Sequence, residues 1–229
     1  MFDLIEAKRK ELGHFVFGLI DPDVKNDNKL KKIISHINDT CNGILVGGSH
    51  ISDDNISARI DIINNESMLP VLLFPGSWKQ ITRNINAMLY LNLISGRNTR
   101  YLIEEHVSGA KLIKKYNIET IPTAYILLDG GSQTSVQKVS DTKALNMSDY
   151  DNILSHALAG QHLGNKFIYF DCGSGAKNKI NLELLSYINK NIEIPIIVGG
   201  GITTDNEIKD VVRAGASYVV IGNSIEMLY

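Results

Sequence analysis

Short apolar runs alternate along this chain with stretches whose apolar residues recur every three to four positions. Phe15 to Ile20 is continuous except at Gly18 and closes on Asp21-Pro22-Asp23, the pattern of a strand buried on both faces. Leu30, Ile33, Ile34 and Ile37 fall on one side of a helix, with lysines between them. Gly43 to Val46 is the next strand, ending on Gly47-Gly48-Ser49, and Ile56, Ile60 and Ile63 mark the helix after it. Further strands are expected at Pro70 to Phe74, Met88 to Ile94, Thr123 to Leu128 and Phe167 to Phe170. Two last β-branched runs, Pro195 to Ile202 and Ala216 to Asn223, stop on glycine. Helices are expected over Tyr101 to Tyr116, Asp151 to Leu163, around Leu182, Leu185 and Ile188, and over Thr204 to Ala214.

Local punctuation supports these elements. Thr204 with Glu207 reads as a capping box and Gly215 as a helix stop, and Ser77 with Gln80 reads as a second box opening a short helix. The first ten residues form an amphipathic charged helix that ends at Gly13. Ser132 to Met147 shows no sustained period and is long for a connection, so it is a disordered insert or, the favoured reading, a lid.

About eight strands alternating with helices predict an α/β fold, a (β/α)8 TIM-type barrel occupying residues 1–229 as one domain. A doubly wound open sheet is the rival. The barrel is preferred because almost every strand ends in Gly, Ser or Asp on the same side, which suits a ring of loops around one site.

Composition narrows the function classes. With 44% hydrophobic and 21% charged residues and a net charge of −2, the chain carries no basic stripe and no footprint for nucleic acid. Cys41 and Cys172 belong to no metal or redox spacing and are expected as free thiols. The start lacks the apolar core of a signal peptide, and no apolar run nears the roughly 20 residues of a transmembrane segment. A cytoplasmic protein is expected, with a lipid substrate still open to it.

Candidate chemistry gathers on the loops. Gly173-Ser174-Gly175, Gly199-Gly200-Gly201 and Gly222-Asn223 follow three successive strands, where amides of a barrel commonly hold a phosphate. Any one of these loops could be only a tight turn; three together favour a phosphate cup. Across the ring, Asp21, Asp23 and Ser49 are hard oxygen ligands suited to Mg²⁺ beside a second phosphorylated substrate, although an Asp-Pro turn alone is often only a turn. Tyr90, Leu91, Leu93, Tyr125 and Leu127 could line an apolar groove, with core packing the competing role; Trp78 fits groove, surface or interface.

Taken in order, Leu-Ile-Asp-Pro-Asp from Leu19, Val-Gly-Gly-Ser from Val46, Phe-Pro-Gly-Ser from Phe74, Ile-Ser-Gly-Arg-Asn from Ile94, Leu-Asp-Gly-Gly from Leu128, Gly-Ser-Gly-Ala from Gly173, Val-Gly-Gly-Gly-Ile from Val198 and Gly-Asn-Ser from Gly222 resemble the geranylgeranylglyceryl phosphate synthase family, its second group in particular. The resemblance implies a Mg²⁺-dependent prenyltransferase that joins the 3-hydroxyl of sn-glycerol 1-phosphate to geranylgeranyl diphosphate, and a homo-oligomer. It places the metal on Asp21 and Ser49, and glycerol phosphate on Tyr169, Phe170, Asp171, Cys172, Gly173, Ser174, Gly175, Gly200, Gly201, Gly222 and Asn223. Asp171 is the candidate base, with Tyr169 beside it as the second candidate catalytic residue; a loop or capping carboxylate is the alternative role for Asp171. Asp171 stands where the family commonly has Glu, Cys172 replaces a small apolar residue, and Val24 stands where Lys is common, with Lys25 one place later. The competing functions are another phosphate-binding barrel enzyme, an isomerase or aldolase, and a non-catalytic prenyl- or phosphate-binding barrel.

Overall fold

The computed structural model of the chain describes residues 1–49, 51–222, 225 and 228. Eight parallel strands close into a barrel in chain order: β1 Phe15–Ile20, β2 Gly43–Val46, β3 Val71–Leu73, β4 Ala87–Asn92, β5 Thr120–Leu127, β6 Phe167–Asp171, β7 Ile196–Gly199 and β8 Tyr218–Ile221. The expected barrel is present and the open sheet is excluded, because β8 pairs with β1 as well as with β7. The described helices are α1 Phe2–Leu12, α2 Leu30–Thr40, α3 Ile56–Glu66, α4 Glu104–Tyr116, α5 Ser135–Ser140, α6 Tyr150–His162, α7 Leu182–Asn189 and α8 Asp205–Arg213.

Strand alternation divides the core in two. Phe17, Leu45, Leu89, Tyr125, Tyr169 and Tyr218 point inward and fill the barrel, whereas Ile20, Ile44, Ile126, Ile168 and Val198 point outward against the helices. Each fully buried aliphatic side chain contributes about 1.5–3 kcal/mol relative to exposure, so both faces of every strand favour the barrel over a one-sided sheet. The break at Gly18 has a packing cause: a Cβ there would lie 2.6 Å from Cγ1 of Ile37, so glycine is what lets α2 settle on β1. α1 closes the N-terminal end of the barrel, burying Ile5 and setting Phe2 5.4 Å from Phe167, and stops at Gly13 in the left-handed region.

Two local expectations need correction. Ser77 and Gln80 form no capping box: Ser77 accepts from Lys79 N at 3.4 Å, but Gln80 Oε1 accepts from Gly76 N, and only a single 3₁₀ turn, Trp78–Gln80, follows. β4 leaves the sheet at Asn92, two residues before Ile94, as Ile94 N turns back to Asn92 O. Residues 132–147 are structured, which removes the disordered alternative and leaves the favoured lid in place: Thr134 and Gln137 make a capping box that starts α5, and Leu128 bridges Leu145. The box at Thr204 and Glu207 is as expected.

The 3₁₀ turn matters most for function. Because no full helix covers β3 and β4, the outward-facing Met88 and Tyr90 border open space instead of a helix. Gly109 on α4 approaches that turn, and a Cβ there would fall 2.6 Å from Ile81 Cδ1.

Candidate active site

The C-terminal ends of the strands surround a cavity of about 820 Å³ with a polar ring and an apolar arm. Asp21, Gly47, Gly48 and Ser49 border it on the side of β1 and β2, and Asp171, Gly173–Gly175, Gly200, Gly201 and Gly222 on the side of β6 to β8. The two predicted subsites therefore share one space. Asn223 lies outside the described residues.

On the late strands, backbone conformation shows why glycine is required. Gly173, Gly175, Gly200 and Gly201 all have φ between 68° and 92°, a region that disfavours other residues. Their loops also nest tightly: a Cβ on Gly200 would sit 2.7 Å from Gly173 N, and one on Gly173 only 2.0 Å from Thr134 Cγ2. Chain turned this way can present backbone amides to a phosphoryl group, although Gly173 N itself is taken by Asp171 Oδ1. Lys179, a cavity residue that motif reading missed, is ion-paired to Glu207 at the edge of this cup. Glu207 in turn accepts from Thr203 N at 2.7 Å, and the neighbouring ammonium pulls its carboxyl down to about 2.

Phe170 and Cys172, both in the expected glycerol phosphate set, present no side chain to the cavity. Strand alternation turns both side chains into the outer core, where each is fully buried, and neither borders the cavity. Burial pushes the Cys172 thiol up to about 12, so it is inert as a nucleophile. Tyr169 and Asp171 point inward. The ring of Tyr169 stacks on Phe74 at 5.2 Å and fits because position 199 is glycine, where a Cβ would lie 2.6 Å from its hydroxyl.

Asp171 is half-buried at the end of β6. Its Oδ1 accepts from Gly173 N at 2.7 Å, and its Oδ2 accepts a hydrogen bond from Tyr125 OH. Burial raises the carboxyl above the ordinary aspartate range, and these two hydrogen bonds oppose the rise. The carboxylate is thus more basic than one in water.

On the early strands, Asp21 and Asp23 have different roles. Asp23 is a loop fastener: Oδ2 accepts from Ser52 N at 2.8 Å and Ser52 Oγ at 2.6 Å, and its carboxyl is lowered by them. Asp21 faces the cavity beside Gly48, where a Cβ would lie 2.6 Å from Asp21 Oδ1. Lys25 Nζ lies 2.6 Å from Asp21 Oδ2, so the lysine displaced by one position still reaches the site. The donor set is one carboxylate and the Ser49 hydroxyl, hard oxygens that suit Mg²⁺ when substrate phosphates complete the shell. No group of three His, Cys, Asp or Glu side chains is placed to hold a metal by itself among the described residues.

The apolar arm runs between β4 and α4. Trp78, Ile81, Met88, Tyr90 and His106 line it, with Leu91, Leu93 and Tyr125 nearer the barrel axis. Trp78 is therefore a groove residue. His106 is a wall: its ring lies 4.4 Å from that of Tyr90 and its nitrogens face the carbonyls of Leu91 and Leu102. Leu127 lies in the barrel core and outside the cavity. The Ser95-Gly96-Arg97-Asn98 stretch is architectural: Ser95 Oγ accepts from Leu127 N, Arg97 donates to Ile94 and Gly96 carbonyls, and Asn98 donates to Ser140 O.

Comparison with known proteins agrees with this geometry. The chain is 44% identical over 225 residues to the geranylgeranylglyceryl phosphate synthase of Flavobacterium johnsoniae, covering 97% of this chain and 92% of the relative. It is 35% identical to that of Thermococcus gammatolerans, covering 96% and 87%. Among solved structures, (S)-3-O-geranylgeranylglyceryl phosphate synthase from Thermoplasma acidophilum, in complex with its substrate sn-glycerol-1-phosphate, superposes with a TM-score of 0.88 at 30% identity, covering 93% of this chain and 86% of the other. Residues 5–228 match the PcrB family model, and the chain belongs to the PcrB family.

Proposed function

We propose that this protein is a prenyltransferase that forms an ether bond between the 3-hydroxyl of sn-glycerol 1-phosphate and C1 of geranylgeranyl diphosphate, releasing diphosphate. The observation that carries this reading is that one cavity joins a glycine-built phosphate cup, an inward carboxylate at Asp171, hard oxygens at Asp21 and Ser49, and an apolar arm along β4. An isomerase or aldolase working on one small phosphate ester has no use for the arm.

In this reading the amides of Gly175, Gly200 and Gly201 hold the phosphate of glycerol 1-phosphate, with Ser174, Gly222 and Asn223 completing the cup and Gly173 N fixing Asp171 beside it. Tyr169 forms the floor, and Asp171 receives the proton lost from the acceptor hydroxyl. Asp21 and Ser49 would hold Mg²⁺, which when bound supplies neutralisation of charge on the diphosphate oxygens. Lys25 adds a positive charge on the same side, and the arm between Tyr90 and Trp78 takes the prenyl chain. Excluding water along that arm protects the allylic centre from hydrolysis while the hydroxyl is held in line.

The whole chain serves as one catalytic domain, placed in the cytoplasm as a homo-oligomer. No described helix is long and apolar enough to cross a membrane, which is consistent with a lipid precursor handled at its phosphorylated end. The test is incubation with radiolabelled sn-glycerol 1-phosphate, Mg²⁺ and prenyl diphosphates of several lengths. A labelled, organic-extractable product is expected, and its absence at every chain length would remove the proposal.

A further inference from the structure

We infer that Tyr125 relays the proton, standing between the acceptor hydroxyl and Asp171 as a second catalytic residue. This rests on the reading of Asp171 as the base. The geometry that points to it is the orientation of the carboxylate: both oxygens are already engaged by the protein, Oδ1 by Gly173 N at 2.7 Å and Oδ2 by the Tyr125 hydroxyl. An aspartate is too short to swing free of the strand end while keeping both bonds. The Tyr125 oxygen, by contrast, gives its proton to Asp171, accepts no hydrogen bond among the described residues, and belongs to a side chain that borders the cavity.

Strand register explains the reach. Tyr125 pairs with Tyr169, two residues below Asp171, and both tyrosines point inward, so the phenol rises one layer to meet the carboxylate on the neighbouring strand. Its ring is fixed by Tyr169 at 5.2 Å and 89° and by Phe74 at 5.9 Å and 73°. Tyr125 is only 4% exposed, and burial keeps its phenol well above the usual tyrosine range. A phenol so placed does not rest as phenolate; it passes protons by simultaneous exchange.

In the step, the acceptor O–H proton moves to the Tyr125 oxygen while the Tyr125 proton moves to Asp171 Oδ2. The freed oxygen pair forms the bond to C1 of the prenyl group, and the C1–O bond breaks with its pair leaving on diphosphate. Tyr125 ends neutral, and Asp171 ends as a carboxylic acid that later returns its proton to water.

The test compares single-turnover rates of Tyr125→Phe, Asp171→Glu, Asp171→Asn and the Tyr125→Phe/Asp171→Glu pair, with sn-glycerol 1-phosphate binding measured by calorimetry as a check on folding. The relay predicts that Tyr125→Phe keeps glycerol phosphate affinity and loses about 100-fold or more in rate. It also predicts that the pair is about tenfold faster than Tyr125→Phe alone, because a longer carboxylate freed from the phenol reaches the hydroxyl directly. Wild-type turnover in Tyr125→Phe, or a pair no faster than Tyr125→Phe, would overturn the relay; the second result would leave Tyr125 a positioning residue. Retained turnover in Asp171→Asn would instead overturn the base reading on which the relay rests.

Discussion

Arg59 donates through Nη1 to the main-chain carbonyl of Pro22 at 2.9 Å, so a side chain on α3 holds the peptide between Asp21 and Asp23. The guanidinium is almost wholly buried and forks to two carboxylates, Asp27 at 2.5 Å and 2.9 Å and Asp53 at 2.6 Å and 2.9 Å. Three chain segments thus meet on one cation, and the loop bearing Asp21 is set by a residue outside the cavity. Arg59→Met leaves two like charges facing each other. Because both carboxylates are partly exposed, solvent screens much of that repulsion, and a lowered urea unfolding midpoint is expected. The Michaelis constant for prenyl diphosphate should rise while binding of glycerol 1-phosphate stays close to wild type, since the late-strand loops are untouched.

Asp171 is expected to trade stability for chemistry. Its carboxyl is raised in the folded chain, so folded protein binds its proton more tightly than unfolded protein does. Stability from this group is therefore lost as pH rises from the ordinary aspartate range through the raised value, and the deficit persists above it. Asp171→Asn removes that deficit and can still accept from Gly173 N. The variant should melt at a higher temperature than wild type at neutral pH, with the advantage vanishing at acid pH where both states are protonated. A lower melting temperature at neutral pH would contradict the environment described for this carboxyl.

Lys179 should contribute to substrate affinity more than to turnover. It lies at the rim of the amide cup, held by Glu207, and is half exposed. Solvent screening limits a charge so placed to about 1 kcal/mol, which corresponds to about a fivefold rise in the Michaelis constant for glycerol 1-phosphate in Lys179→Met. The increment should shrink as ionic strength rises. An unchanged Michaelis constant at low salt would remove Lys179 from the cup.

Gly109 sets the width of the apolar arm. Any side chain at this position must displace Ile81, 2.6 Å from the Cβ position, and a larger one also presses on Trp78 at 3.4 Å. Both neighbours border the arm, so Gly109→Leu should narrow it from behind without altering a polar group. Competition assays are expected to show a shift in preference toward shorter prenyl diphosphates. Unaltered chain-length preference in a folded variant would place the prenyl chain elsewhere.

The barrel and most of its rim are legible in the order of residues alone. Continuous apolar runs alternating with helical stripes can bury both faces of a parallel sheet only if helices surround it, and the loop glycines and acids at every strand end mark one face as the site. Alternation within a strand is legible in the same runs: its period of two turns the side chains of Phe170 and Cys172 to the outer core and those of Tyr169 and Asp171 inward. Meetings between segments far apart in the chain emerge only on folding. Tyr125 with Asp171, Lys179 with Glu207 and Arg59 with Pro22 are set by strand register and helix packing, which no local spacing encodes. The apolar arm is of the same kind: it exists because one 3₁₀ turn stands where a helix would cover β3 and β4, and a space left uncovered has no signature in the residues that border it.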